Sequence, residues 1–435
     1  MISLWIFLYI FAFKLENKCL PMRKSLLLLL MSLPFVVTSC YVDEGSPSVV
    51  KRNKKYDIAL TRSQQEIANE NIKFAFSLFD KVNELETEQP NWMVSPLSAS
   101  IALSMTANGT AGNSQTQIKD ALGFSRFQMD DVNSYYNYLC DELVAVDNST
   151  KFNFANSVWL DKKFSFFDSF VNTTKKMYDA EVSTLDLTKK SALDKINAWS
   201  AKKTENLIPK IISELPDGMA CCLLNSLYFR SEWETWFNKS LTVDETFTSA
   251  DGKQSQVKMM KKRGIGLYYT NETFALSEFY FGNEAYSMVV LLPHENYTLE
   301  ECLQKFTTDY WSEFQENKLG KFADLVVSFP RFEIDYERDL SEIMKSMGIT
   351  DVFDMEKADF SNMTPDNILL NLMKQAARIK VDEKGCEAAV TTIVEQGFGS
   401  PSFPRADFHM NRPFAFVISE NSTGTILFMG KVSEL

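Results

Sequence analysis

The 435-residue chain is 45% hydrophobic and 23% charged, ordinary globular proportions with enough apolar material for a sizeable core. Its formal charge of −12 argues against a nucleic-acid binder, since phosphate recognition needs a clustered basic surface. The basic cluster Lys51, Arg52, Lys54 and Lys55 reads as the solvated face of a linker.

The beginning of the chain reads as processed rather than folded. From Met22 a basic Met-Arg-Lys-Ser start precedes an apolar run over 26–37, followed by Val37-Thr38-Ser39-Cys40. A basic head, a short hydrophobic run and small residues before a cysteine are the layout of a secretory signal, and the run is too short for an ordinary spanning helix. The ending resembles a bacterial lipobox, which implies cleavage after Ser39 and lipid attachment at Cys40. Asp43 and Glu44 behind it are similar to the acidic lipoprotein export signals of Bacteroidota. The true start is then Met22, residues 1–39 are removed, and the expected location is the bacterial cell envelope, as an outer-membrane lipoprotein, surface-exposed or extracellular. A two-part hydrophobic anchor that also uses residues 4–13 is the alternative. Residues 40–60, with Gly45, Ser46, Pro47 and Ser48, read as the lipidated cysteine and a polar tether, and 61–435 as a single domain without internal repeat.

Within that domain, apolar Ile67, Phe74, Leu78 and Phe79 among polar neighbours predict a helix, and Ser95-Pro96 starts a second one carrying Ile101, Leu103 and Met105. The period then changes. Residues 221–229, 286–292 and 325–329 are short apolar runs suited to buried strands. Residues 414–418 and 425–429, joined by Glu420-Asn421-Ser422-Thr423-Gly424, predict a hairpin. Helices first and strands later imply an α+β fold. Cys140, Cys221, Cys222 and Cys302 match no metal spacing and read as small buried hydrophobes, with Cys221 and Cys222 pointing to opposite faces of a strand.

Catalytic signals are absent from the sequence. His294 and His409 are the two imidazoles, and neither accompanies a G-x-S-x-G elbow; no H-E-x-x-H, Walker or Rossmann signature is present. The carboxylate pairs Asp130-Asp131 and Asp43-Glu44 read as solvated charge, so no enzyme, cofactor or metal is expected. A hydrolase whose two acids are brought together only by folding is the enzymatic alternative.

Residues 381–408 pose a different problem. Ala388, Ala389, Val390, Thr391, Thr392, Ile393 and Val394 form a strand-like run, which then dissolves into Gly397, Gly399, Pro401 and Pro404. The segment VDEKGCEAA at 381–389 resembles the reactive-loop hinge of serpins. The likeness extends through NWMVSPLS (91–98), NGTAG (108–112), FAN (154–156), INAW (196–199), LNSLYF (224–229) with Trp233 and Phe237, FPRF (329–332), NRPF (411–414) and FMGKV (428–432), all in serpin order.

The resemblance implies a serpin fold of three β-sheets with about nine helices and an exposed reactive-centre loop. It also implies suicide inhibition: a protease cleaves the loop and is trapped as the loop becomes a new strand of the large sheet. By the same resemblance Glu383, Lys384, Gly385, Cys386, Glu387, Ala388, Ala389, Val390 and Thr391 are the hinge. Ser95, Ser98, Asn225, Gln375 and Trp233 are its shutter and breach, with Gln375 standing where many animal members carry histidine and able to bridge Ser95 and Asn225.

The loop has the alternation an inserted strand needs. Cys386, Ala388, Val390, Thr392 and Val394 share one small or apolar face, while Glu387 and Glu395 fall on the other. The resemblance implies the bait bond as well: counted from Glu383 in the register usual in serpins it is Gly399-Ser400; a one-residue slip makes it Phe398-Gly399, and Arg405-Ala406 is a further alternative. The expected partner is an elastase-, subtilisin-, chymotrypsin- or papain-like protease, met by a monomer held to a membrane by its lipid anchor. A non-inhibitory serpin used for binding is the runner-up.

Overall fold

The computed structural model describes residues 52–216, 218–385 and 403–435. Cys40, the hinge from Cys386 onward and the bait bond lie outside the described residues. From its amino end the described chain forms α1 (Arg62–Leu85), β1 (Trp92–Val94), α2 (Pro96–Gly109), α3 (Gly112–Ala121) and α4 (Met129–Ala145). Next come β2 (Lys151–Asp161), α5 (Asp168–Tyr178), β3 (Glu181–Leu185), α6 (Lys190–Lys203) and β4 (Cys221–Arg230). A run of strands follows: β5 (Val243–Thr248), β6 (Gln254–Leu267), β7 (Tyr269–Thr270), β8 (Phe274–Phe281) and β9 (Tyr286–Pro293). Then α7 (Leu299–Leu303), α8 (Thr308–Asn317), β10 (Phe322–Pro330), β11 (Phe332–Asp339), α9 (Ser341–Ser346) and β12 (Met373–Val381) lead to the loop. β13 (Arg405–His409), β14 (Phe414–Glu420) and β15 (Ile426–Val432) close the chain. Nine α-helices and three sheets among the described residues match the α+β expectation.

The sheets run β11-β12-β4-β2-β3, β1-β15-β14-β9-β8-β7 and β13-β10-β6-β5. The expected hairpin is β14 and β15, antiparallel with an irregularity between Ile418 and Ser419. In the first sheet, Cys221 joins the main core, whereas Cys222 joins a smaller core with Trp159 and Trp199. The alternation of side chains along a strand puts neighbouring cysteines on opposite faces in this way. Burial pushes the Cys221 thiol up to about 12 and Cys302 to about 11, so neither is a thiolate nucleophile at neutral pH.

Two helices show how sequence sets position. Thr61 and Gln64 cap the start of α1 reciprocally, and Ile67, Phe74, Leu78 and Phe79 are buried along one side. Helix α2, by contrast, is buried at every residue except Asn108. A helix apolar all round belongs in the interior, and α2 touches both β4 of the first sheet and β15 of the second. Ser95 caps it and Pro96 occupies its first turn, where a missing N–H costs nothing.

The polar tether expected over 40–60 is shorter than predicted. Ile58 is 5% exposed, and its N–H donates to Ser422 Oγ at 2.9 Å. Tyr56 donates to Glu142, and the Asn53 amide donates to the Ala145 and Val146 carbonyls. Residues 52–60 therefore lie on the body, held by Ile58 and the half-buried Leu60 and by long-range bonds that composition does not reveal. No helix among the described residues is long and apolar enough to cross a membrane.

Packing leaves no room for a side chain at Gly430, where β15 passes between β1 and β14. A Cβ added to Gly430 would lie 2.5 Å from Phe416 Cζ and 2.9 Å from the Trp92 carbonyl oxygen. Overpacking of that kind costs about 1–3 kcal/mol. Gly430→Ala is expected to lower the free energy of urea unfolding by that amount, and an unchanged midpoint would show that the strands give way freely.

Candidate functional site

In the five-stranded sheet, β12 pairs antiparallel with β11 over its full length, from Phe332↔Val381 to Asp339↔Lys374. Strand β4 pairs with β2 just as completely, from Lys151↔Arg230 to Leu160↔Cys221. Towards each other β12 and β4 run parallel, and their ladder covers Met373↔Leu223, Lys374↔Leu224, Gln375↔Asn225 and Ala376↔Ser226 alone. Beyond that point no pairing joins them among the described residues. The sheet is parted down its middle from one end, leaving two facing strand edges whose N–H and C=O groups are a template for an added strand.

At the joined end, the Gln375 amide holds Ser95 from both sides: Oε1 accepts the Ser95 N–H at 2.8 Å and Nε2 donates to the Ser95 carbonyl at 2.9 Å. Ser95 Oγ in turn accepts the Ser98 N–H at 3.2 Å. The side-chain bridge from Gln375 to Asn225 does not form, because Ser95 takes both ends of the amide. Asn225 meets Gln375 in the strand register and donates instead to Asn156. Ser98 Oγ and Asn225 Oδ1 are left buried without a hydrogen-bond partner among the described residues. Each such orphan costs about 1–3 kcal/mol.

The open end is clamped. Strand β12 finishes at Val381, and residues 382–385 turn back on themselves through reciprocal backbone bonds between Asp382 and Gly385, at 3.1 and 3.2 Å. Trp233 binds this turn twice, its N–H donating to the Lys384 carbonyl at 2.9 Å and its indole to the Asp382 carbonyl at 3.0 Å. Phe237 N–H donates to the Glu383 carbonyl at 2.9 Å. Gly385 has φ +127°, and a Cβ there would stand 2.5 Å from both the Ser231 oxygen and the Trp233 nitrogen, so only glycine fits. Trp233 is itself fixed by stacking on Phe281, with ring centroids 4.5 Å apart.

Glu383, 5% exposed, is the charged part of the clamp. Arg331 Nε donates to its two oxygens at 3.1 and 3.0 Å, and Thr242 adds a further hydrogen bond. Burial alone would raise this carboxyl, but the bonds from Arg331 and Thr242 outweigh it and hold the pKa below the ordinary 4.5. Arg331 lies inside the FPRF motif, yet nothing in that motif pairs it with Glu383. Arg52 was also missed: read as linker charge, it donates to the Trp233 and Glu234 carbonyls at 3.3 Å each, behind the tryptophan that holds the hinge.

A model of the serpin (serine protease inhibitor) family matches residues 69–435. The chain belongs to the serpin family. Human leukocyte elastase inhibitor is 29% identical over 380 residues, spanning 85% of this serpin and 99% of the relative. The crystal structure of tengpin, a thermophilic serpin, in its native state superposes with a TM-score of 0.79 at 27% identity, covering 89% and 98% of the two chains. Human thyroxine-binding globulin complexed with its ligand gives 0.77 at 26% identity, covering 86% and 99%.

The remaining candidates sit apart from the parted sheet. Arg405 is the first residue of β13 and pairs in parallel register with Asp324, so cleavage at Arg405-Ala406 requires that strand to leave its sheet. His409 Nε2 contacts Glu245 at 2.9 Å and His294 Nε2 contacts the Asn271 carbonyl at 3.0 Å, both structural links between strands and turns. No cluster of three or more metal-ligating side chains occurs among the described residues.

Because the folded-state pKa of Glu383 is depressed, the stabilisation it supplies is full above the unfolded value and is lost as pH falls through the folded one. Hydrogen exchange, corrected for intrinsic rate, is expected to show the Trp233 and Phe237 amides losing protection below pH 4.5 in this serpin. Glu383→Gln should lower that protection about tenfold at neutral pH; equal protection in both would remove the clamp from the account. At the joined end, Gln375→Leu strands both Ser95 backbone groups and is expected to cost about 2–4 kcal/mol in urea unfolding. A loss below about 0.5 kcal/mol would mean water replaces the amide.

Proposed function

We propose that this serpin is a suicide-type, irreversible inhibitor of serine or papain-like cysteine endopeptidases, acting as a monomer through insertion of its reactive loop between β12 and β4. The observation that carries the reading is the pairing of β12 and β4 at one end alone, with the loop leaving the chain at the other, open end. Glu383, Lys384 and Gly385 are the anchored start of the hinge, and Cys386 to Thr391 continue it with Cys386, Ala388 and Val390 small enough to face a core and Glu387 on the opposite face. Ser95, Ser98, Asn225 and Gln375 form the shutter that an entering strand must pass, and Trp233 sits at its breach.

In chemical terms the protease nucleophile attacks the carbonyl carbon of Gly399 and the Gly399-Ser400 amide bond breaks. The amine of Ser400 leaves with a proton, and Gly399 remains esterified to the enzyme. The freed segment then inserts, carrying the acyl-enzyme with it before water completes hydrolysis. A dozen or so new ladder bonds at about 0.5–1.5 kcal/mol each supply on the order of ten kcal/mol, and the intact loop cannot collect them while both ends are tied. Orphaned Asn225 Oδ1 and Ser98 Oγ add to the difference, since a passing strand offers them partners.

The likeness to leukocyte elastase inhibitor and the small or apolar residues Phe398 and Gly399 favour elastase-, subtilisin- or chymotrypsin-like targets, with Phe398 also suiting papain-like pockets. A second reading, a non-inhibitory serpin that binds a small molecule, is supported by the likeness to thyroxine-binding globulin. For location, the signal-like residues 22–39 and Cys40 support attachment by lipid to the outer membrane of a Gram-negative bacterium.

Incubation with elastase, chymotrypsin, subtilisin, trypsin and papain, followed by a denaturing gel, tests the proposal. The expected result is a stable band heavier than either protein together with a carboxyl-terminal fragment beginning at Ser400, or at Gly399 after a one-residue slip. Clean cleavage by every protease without an adduct favours the binding protein.

A further inference from the structure

Between β6 and β10 of the four-stranded sheet, β8 of the six-stranded sheet and the segment after Trp233 lies a cleft of ≈ 540 Å³, a size that suits a small organic molecule. Its origin is readable in β6, where Lys262, Gly264 and Gly266 fall on one face at alternate positions. The resulting trough is open at Gly264 and closed at Gly266 by Leu325, whose Cδ2 would lie 3.1 Å from a Cβ built there. A Cβ built on Gly264 meets nothing within 4 Å. Glycine inside a strand commonly marks close approach by a ligand or another backbone. The walls and rim are apolar, with Trp236, Phe279, Leu325 and the unusually exposed Leu241, Ile265 and Phe322, the last three 51%, 43% and 37% exposed.

Lys262 closes one end of the trough. Its neighbours on the strand are already committed, Lys261 to Glu245 and Arg263 to Asp324. Lys262 donates to the Thr235 carbonyl at 3.1 Å and lies 5.7 Å from the centre of the Phe237 ring. No carboxylate stands within ion-pair distance of it among the described residues; Glu234 acts on it from farther off. The other carboxylate of the cleft, Glu278, is held by Lys318, Tyr280 and Ser287. Burial lowers the pKa of Lys262, the mark of an ammonium short of counter-charge. A mostly buried cation without a carboxylate is costly to keep, and an arriving anion relieves that cost.

We propose that this cleft binds a small apolar carboxylate, its head group on Lys262 Nζ and its body in the trough at Gly264. Charge complementarity sets the ligand class: Lys262 lacks a paired carboxylate, whereas Lys261, Arg263 and Glu278 of the lining are each already paired. The cleft shares Trp233 and Phe237 with the clamp on residues 382–385, while its binding is read by titration without any protease.

Isothermal titration of the full chain with octanoate and, in parallel, octan-1-ol is the test. Octanoate is expected to bind saturably and about tenfold more tightly than the alcohol, as one charge-assisted hydrogen bond implies. Lys262→Gln should erase that difference while Lys262→Arg keeps it. Gly264→Leu, which fills the trough without touching the lysine, should abolish octanoate binding while the protein melts as the wild type does. Absence of saturable octanoate binding, equal affinity for acid and alcohol, or a difference that survives Lys262→Gln would overturn the proposal.

Discussion

Everything distinctive about this molecule depends on how little joins β12 to β4. Each strand is fully laddered on its outer side, yet between them the parallel pairing stops after Ala376 and Ser226. Hydrogen-bond groups facing a gap in a sheet are unusual, because backbone donors and acceptors removed from water almost always find partners. A sheet in that state has room for a further strand, and the proposal is that the residues past Gly385 supply it. Proximity alone does not join them, since the strand would have to pass the shutter while its far end is still tied.

The two ends of the gap are held by different physics. At the joined end the contacts are neutral, buried and few: one amide grips one backbone serine, and two polar atoms go without partners. At the open end the contacts are numerous and mixed. An ion pair, a turn that admits glycine alone and an indole hydrogen bond sit on a cluster of aromatic rings. The arrangement concentrates strength at the mouth, where an early opening would begin, and leaves the throat under-satisfied, where a strand arriving later gains most. Arg52 ties the segment before α1 to the same mouth, so the start of the folded chain is part of the device.

Local features were legible in the sequence because they obey short-range rules. The helix start at Ser95-Pro96, the β14–β15 hairpin and the opposite faces of Cys221 and Cys222 all follow from spacing within a few residues. The hinge is expected from the alternation of small and charged side chains over 386–395, which lie outside the described residues. What escaped were partnerships across the fold. Glu383 and Arg331 are 52 positions apart, and β12 and β4 are separated by well over a hundred residues, so neither the ion pair nor the gap has a local signature. Ile58 and Leu60 were lost inside a polar stretch, although both help to fold it onto the body. The Lys262 trough has no local signature, because the room in front of Gly264 is made by the neighbouring sheet.

The central claim is that the described state is not the most stable one open to this sequence, and that one cut in the loop releases it. Thermal unfolding before and after cleavage by a protease that nicks the loop without being trapped measures this directly. Insertion of the freed strand predicts a transition displaced upward by tens of degrees, in keeping with about ten kcal/mol of new ladder bonds. A cleaved protein that melts where the intact one does would mean that the gap between β12 and β4 is never filled by the loop.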